Sequence, residues 1–189
     1  MNKRVVIALC LGLGFALATS GAVAQDMGGM QMGGDAAKKP LSPPAKAEAM
    51  VAGAAISIDY SAPSVRKRVI FGGLVPYGQV WRTGANAATT LKTSANLMIG
   101  NLDVPAGTYT IYSLPTADGW MLIVNKQTGQ WGTVYDEKQD LGRVALAKAM
   151  NAAPIETMVI DFEKTAGSAT ELHVKWADLD LSVPVMVAK

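Results

Sequence analysis

Tyr77, Trp81, Arg82 and Asn86 fall within one loop, and Trp131 with Tyr135 follows a second glycine-bearing loop, residues 126–130. Aromatic rings beside planar hydrogen-bonding groups make a surface that takes a sugar, a peptide or a carboxylate, the last through the two parallel N–H donors of Arg82. Tyr77, Trp81, Arg82, Asn86 and Trp131 are therefore the candidate ligand-binding residues. The same side chains have a structural use. Trp81 can plug one end of a β domain while Arg82 and Asn86 satisfy loop carbonyls that would otherwise be buried unpaired. Asn86 is not a glycosylation acceptor, because Ala88 occupies the Ser/Thr place.

Other reactive groups are scattered. His173 is the only imidazole, and strand parity sets it with Glu171 and Lys175, away from the apolar residues. Without a second ligand or a nucleophile beside it, it reads as a solvated strand histidine, and no catalytic residue is assigned. Zinc of the usual kind needs about four His, Cys or carboxylate ligands, and no His pair exists. Asp178 and Asp180 read as charges guarding an edge strand, and Asp136, Glu137 and Asp140 cluster in a loop without the spacing of a Ca²⁺ site. The run Arg66-Lys67-Arg68 reads as a solvated edge. No cofactor is expected. Met27, Met30 and Met32 lie in a glycine-rich stretch, and thioether sulfur suits Cu(I). Copper(I) titration of the chain with and without residues 25–34 reads that possibility directly.

The elements that must position these residues begin after a targeting signal. Lys3 and Arg4, the apolar run 5–18 and Ala22-Val23-Ala24 form the pattern of a secretory signal peptide cleaved near Ala24. The run is shorter than the roughly 20 residues that span a bilayer, so the expected product has no transmembrane segment and is periplasmic or secreted. Cys10, the only cysteine, falls inside the signal. The chain has 189 residues with 17 Lys+Arg against 15 Asp+Glu; removing the first 24, with Lys3 and Arg4, leaves 165 residues and 15 charges of each sign. That balance argues against a nucleic-acid surface. Residues 25–50, with Pro40, Pro43 and Pro44 and four glycines in 25–34, read as a disordered tether too poor in bulky residues to offset its ordering entropy.

From residue 51 to 189 the pattern is one antiparallel β domain. Ile56, Ile58 and Tyr60 alternate with polar residues; Met158, Ile160 and Phe162 point one way with Thr157, Val159, Asp161 and Glu163 the other, and Leu172, Val174 and Trp176 follow across a turn holding Gly167. Residues 108–114 and 120–125 make another hairpin. Residues 67–71 and 89–94 read as strands, residues 140–150 as strand in preference to a short helix, and the run Leu179–Val187 as an edge because Pro184 cannot donate to a ladder. Eight or nine short strands without helical periodicity predict an all-β antiparallel sandwich or partly closed barrel.

Residues 72–88 interrupt this rhythm. The loop is long, and too apolar for disorder. Its phrase FGGLVPYGQVWRTGAN, with IDYSAP upstream and VPAGTYTIYSLP and NKQTGQWGTVYD downstream, resembles the bacterial family called domain of unknown function 2911, over residues 41–187. The resemblance implies an exported, mostly β protein and carries no catalytic assignment. Family members often show an acid where this chain has Ala87, and an arginine where Ala62 precedes Pro63. Neither group is available here. Three readings stay open: a module binding a small molecule, sugar or peptide through the 72–88 loop; a hydrolase built on the same loop; and copper handling by the methionine stretch. The hydrolase requires a carboxylate converging on Arg82 and Asn86, whereas the binding module is expected to expose an aromatic strip.

Overall fold

The computed structural model describes residues 40–116 and 119–188. The segment read as a secretory signal, most of the stretch read as a tether and the candidate copper ligands Met27, Met30 and Met32 lie outside them. Nine strands form the body: β1 (Pro44–Val51), β2 (Ala54–Ser61), β3 (Thr89–Thr93), β4 (Leu97–Ile99), β5 (Leu102–Val104), β6 (Gly107–Pro115), β7 (Trp120–Asn125), β8 (Asp140–Ala166) and β9 (Ala169–Val187), all pairing antiparallel. A single 3₁₀ turn, Glu137–Gln139, precedes β8. Among the described residues no helix is long and apolar enough to cross a membrane.

The strands lie in the order β1-β2-β3-β6-β7-β8-β9-β4-β5. Strand β8 serves both halves of this sheet. Its first part pairs with β7 through Leu146, and its remainder, from Ala147, pairs with β9. The sheet rolls towards closure where the chain leaving β2 meets the middle of β8: Met158 N–H donates to Pro63 O, Val65 N–H donates to Glu156 O, and Ser64 bridges Thr157. Inside, Ile58, Leu91, Ile111, Leu122, Met158, Leu172 and Trp176 are buried, each contributing about 1.5–3 kcal/mol by leaving water. The alternation read from β2 and from the β8–β9 hairpin selects these inward faces.

Four expectations change. First, β1 starts at Pro44, inside the span read as tether. Its alternating Ala47 and Val51 are buried and it pairs along all of β2, from Pro44↔Ser61 to Val51↔Ala54. Second, residues 67–71 are not a strand: Arg66 and Lys67 take left-handed backbone (φ 48° and 58°) in consecutive positions and form a turn. The loop therefore runs from Ala62 to Ala88. Third, the C-terminal run is not an edge: Val185–Val187 pair with β4, and Pro184 lies where that ladder ends, its carbonyl accepting from Gly100 N–H. Fourth, His173 is not solvated. It does share a face with Glu171 and Lys175, but β9 turns at Ala177 (φ 47°) and carries Asp180 back over the ring, leaving it 5% exposed. Residues 140–150 are strand, as read.

Candidate functional site

The long loop runs along the edge of β6 left free where β3 ends at Thr89↔Ile111, with Trp81 turned to the core and Val80 to the outer face of β6 and β7. Trp81 exchanges both backbone hydrogen bonds with Ser113 (2.8 and 2.7 Å), Gly78 N–H donates to Pro115 O (2.7 Å), and Ala85 N–H donates to Ser61 O (3.0 Å). Val80 covers a small cluster of Ala88, Tyr112 and Ile123 on that outer face. This explains why β6 is buried on both sides through Thr110–Ser113.

Inside the loop the carbonyls of Thr83, Gly84 and Asn86 find donors other than Arg82. Thr89 Oγ1 donates to Thr83 O (3.0 Å), the Trp81 indole N–H donates to Gly84 O (3.2 Å), and Gly132 N–H donates to Asn86 O (3.1 Å). The structural use foreseen for Arg82 is thus taken by other groups. Its Nε is buried with no hydrogen-bond partner among the described residues, and burial alone holds the guanidinium below its ordinary pKa. Thr83 and Asn86, on either side of the Gly84-Ala85 turn, both have left-handed backbone (φ 48° and 58°). For Thr83, a β-branched residue, this conformation costs roughly 1–3 kcal/mol. It is held by the Thr83 Oγ1···Ser113 Oγ contact (2.7 Å) and by full burial. Strain of this kind, next to a half-buried cation, concentrates at sites that do something.

Arg82 separates two cavities. One, of about 310 Å³, is walled by Ser42, Arg66, Arg68, Trp81, Arg82 and Asn86, with Trp176 at its base. The other, of about 320 Å³, is walled by Gln79, Trp81, Arg82, Tyr112, Thr133 and Tyr135. No Asp or Glu lines either one. The side chain reaches between them because residue 132 is glycine: a Cβ there would stand 2.0 Å from Arg82 Cδ and 2.7 Å from Asn86 O.

Of the residues singled out from the sequence, Trp81, Arg82 and Asn86 meet at the first cavity. Trp81 is not an exposed strip; it stacks on buried Trp176 with ring centroids 5.7 Å apart and planes 17° apart. Tyr77 faces a different groove, and Trp131, 57% exposed, lines none of these cavities, touching the loop through its bridge to Ala87. Arg66, Arg68 and Gly132 belong to the site and were not read as such. The available signal was three basic residues just ahead of an apolar loop that contains no acid.

Behind the second cavity Tyr135 donates to Asp140 Oδ2 (2.7 Å) and accepts from Arg143 (3.0 Å), whose Nε also donates to Asp140. Burial first, and then the bond to Asp140, push the Tyr135 phenol up to about 12. Burial likewise raises Tyr60 and Tyr112. Below the ordinary tyrosine pKa of 10 folded and unfolded chains hold these protons equally; above it the unfolded chain releases them first. Stability should therefore be level up to about pH 9 and fall between about pH 10 and 12. Denaturant midpoints across that range test this, and a constant midpoint contradicts it.

His173 Nδ1 lies 2.8 Å from Asp180 Oδ1, while Nε2 is 3.5 Å from Glu171 and 3.6 Å from Glu163. Lys175 and Lys164 occupy the same surface, holding Glu163 and Glu171 respectively below the usual carboxylate range. Asp180 is thus a partner of His173 and no longer an outward guard. Among the described residues no group of three or more His, Cys, Asp or Glu side chains is arranged to hold a metal ion.

No curated protein and no solved structure matches the chain. The family model described as a protein of unknown function, DUF2911, matches residues 42–185, from the approach to β1 almost to the end of β9. That span contains both walls of the Arg82 cleft, and the chain belongs to the DUF2911 family.

Proposed function

We propose that this domain binds a small anionic ligand in the cleft divided by Arg82. The observation that supports this reading is a half-buried guanidinium without a carboxylate in either adjoining wall and with a buried Nε lacking an acceptor. A cation withdrawn from water is destabilising unless something pairs with it. The bidentate fork suits a carboxylate or a phosphoryl group, and the Trp81–Trp176 stack and the tyrosines of the second cavity supply apolar surface beside it. The carboxylate that a hydrolase would need beside Arg82 and Asn86 is missing from those walls.

Trp81 and Trp176 border the cleft, so intrinsic tryptophan fluorescence reports occupancy. Titration with sodium benzoate and, separately, with inorganic phosphate is expected to give saturable changes for at least one of them. Arg82→Gln should weaken binding by roughly 10- to 100-fold, the size of one or two charge-assisted hydrogen bonds. Arg82→Lys should recover only part, because an ammonium lacks the planar fork. Equal affinity in the glutamine variant, or no saturation with either anion, overturns the proposal.

A further inference from the structure

The Arg82 cavity has a neighbour that shares one of its walls. Arg68 lines both it and a groove of about 650 Å³ whose floor is Ile70, Phe71, Ile155 and Leu179. Val69 and Met150 stand 74% and 69% exposed in this groove, an apolar patch bordering a cavity that is walled by three arginines and by no acid, with the Glu156 carboxylate at the Arg66 backbone beside it. Lys148, Glu156 and Asp178 mark its rim. Contiguous apolar surface of this kind marks a place where something binds.

Three cations face the smaller cavity: Arg66, Arg68 and Arg82. Arg68 is fixed at the shared wall, its Nε donating to Val65 O (3.1 Å) and its Nη2 to Ser64 O (2.6 Å). The left-handed Arg66 is held by its backbone N–H donating to Glu156 Oε1 (2.9 Å). Those bonds hold the Arg68 guanidinium and the Arg66 backbone in place before any ligand arrives, which lowers the entropy lost on binding. A single carboxylate would leave most of that positive charge unpaired. A phosphomonoester carries a charge of about −1.5 to −2 near neutral pH and three strong acceptor oxygens.

Building on the anion-binding reading, we infer that the ligand is an amphiphilic phosphomonoester. Its head sits among Arg66, Arg68 and Arg82, and its apolar chain crosses Arg68 into the groove floored by Ile70, Phe71 and Ile155. One molecule then accounts for both the unpaired guanidinium and the exposed apolar patch.

Calorimetric titration of the full chain with octyl phosphate, octanoate and inorganic phosphate, each as monomers in solution, tests this. Octyl phosphate should bind at least tenfold more tightly than either of the others. Arg66→Gln, at an exposed side chain, should reduce the advantage over octanoate several-fold. Met150→Asp, also exposed, should reduce the advantage over inorganic phosphate and leave inorganic phosphate binding unchanged. Unaltered melting temperatures show that both variants are folded. Octanoate binding as tightly as octyl phosphate, with both dependent on Arg82, overturns the dianionic head while leaving the anion site intact. Octyl phosphate binding no tighter than inorganic phosphate overturns the chain in the groove. Binding of none of the three overturns this inference and the anion site together.

Discussion

Trp176→Ala should lower the stability of the domain by roughly 3–5 kcal/mol, the cost of truncating a large buried aromatic side chain. The ring is 1% exposed and has aromatic partners on two sides: Trp81 stacked at 5.7 Å and Phe71 edge-on at 6.3 Å. Phe71 in turn meets Trp120 of β7 edge-on at 5.2 Å, so Trp176 is the point on β9 at which two rings of the long loop, Trp81 and Phe71, converge. Its indole N–H also donates to Glu156 O (3.3 Å), a carbonyl that already receives Val65 N–H and so ties the loop to β8. For a domain of this size the expected fall in melting temperature is roughly 6–20 °C. Trp81→Ala should cost less, because one face of that ring is open to the Arg82 cavities. The double variant should fall short of additivity by about 0.5–1.5 kcal/mol, the coupling of a stacked pair. A loss below about 1 kcal/mol for Trp176→Ala would mean that the loop is not seated on the core as described.

Strand β2 and the β8–β9 hairpin were legible because bulky apolar residues mark the buried face, whereas β1, whose inward residues are mostly alanine, was not. In β2 the apolar residues Ile56, Ile58 and Tyr60 are separated by polar ones, and period-two alternation has a single physical cause. Legibility failed where a backbone dihedral decides the outcome. Nothing in Arg66-Lys67 announces left-handed backbone, since neither residue favours it; the conformation is imposed by tertiary bonds such as Arg66 N–H to Glu156. His173 was misread for a related reason. Its parity was correct, but one positive φ at Ala177 turns β9 enough to cover it with Asp180. In the candidate site, Trp81, Arg82 and Asn86 stood out because a long apolar loop must pack on something. That Tyr77 faces another groove and Trp131 none follows from turns whose directions leave no periodic trace. Arg66 and Arg68 were visible as a charge run, yet their convergence on Arg82 depends on the missing strand at 67–71. A straight strand there would have set Arg66 and Arg68 on one face together with buried Ile70, whereas the turn at Arg66-Lys67 brings both to the Arg82 cavity.

Gly132→Ala should be the most damaging single-methyl change at the cleft. Residue 132 has no positive φ, so the backbone itself accepts alanine; the added carbon instead lands 2.0 Å from Arg82 Cδ and 2.7 Å from Asn86 O. Arg82 must then swing away, and the Gly132 N–H to Asn86 O bond must lengthen from 3.1 Å. Insertion of a methyl group into packed surroundings costs about 1–3 kcal/mol of stability. The effect on binding should be larger in proportion. If the guanidinium is displaced by more than about an ångström its bidentate geometry is lost, and anion affinity should fall at least tenfold. A double-mutant cycle separates this steric route from general damage. In an Arg82→Ala background the clash with Cδ disappears, leaving only contacts of 2.7 Å to Asn86 O and 3.0 Å to Arg82 Cβ. Gly132→Ala should there cost less stability and should cause almost no additional loss of anion binding. Equal losses in both backgrounds would show that Gly132 acts on the loop backbone and not through Arg82, so the space kept open at residue 132 would have no special relation to the guanidinium.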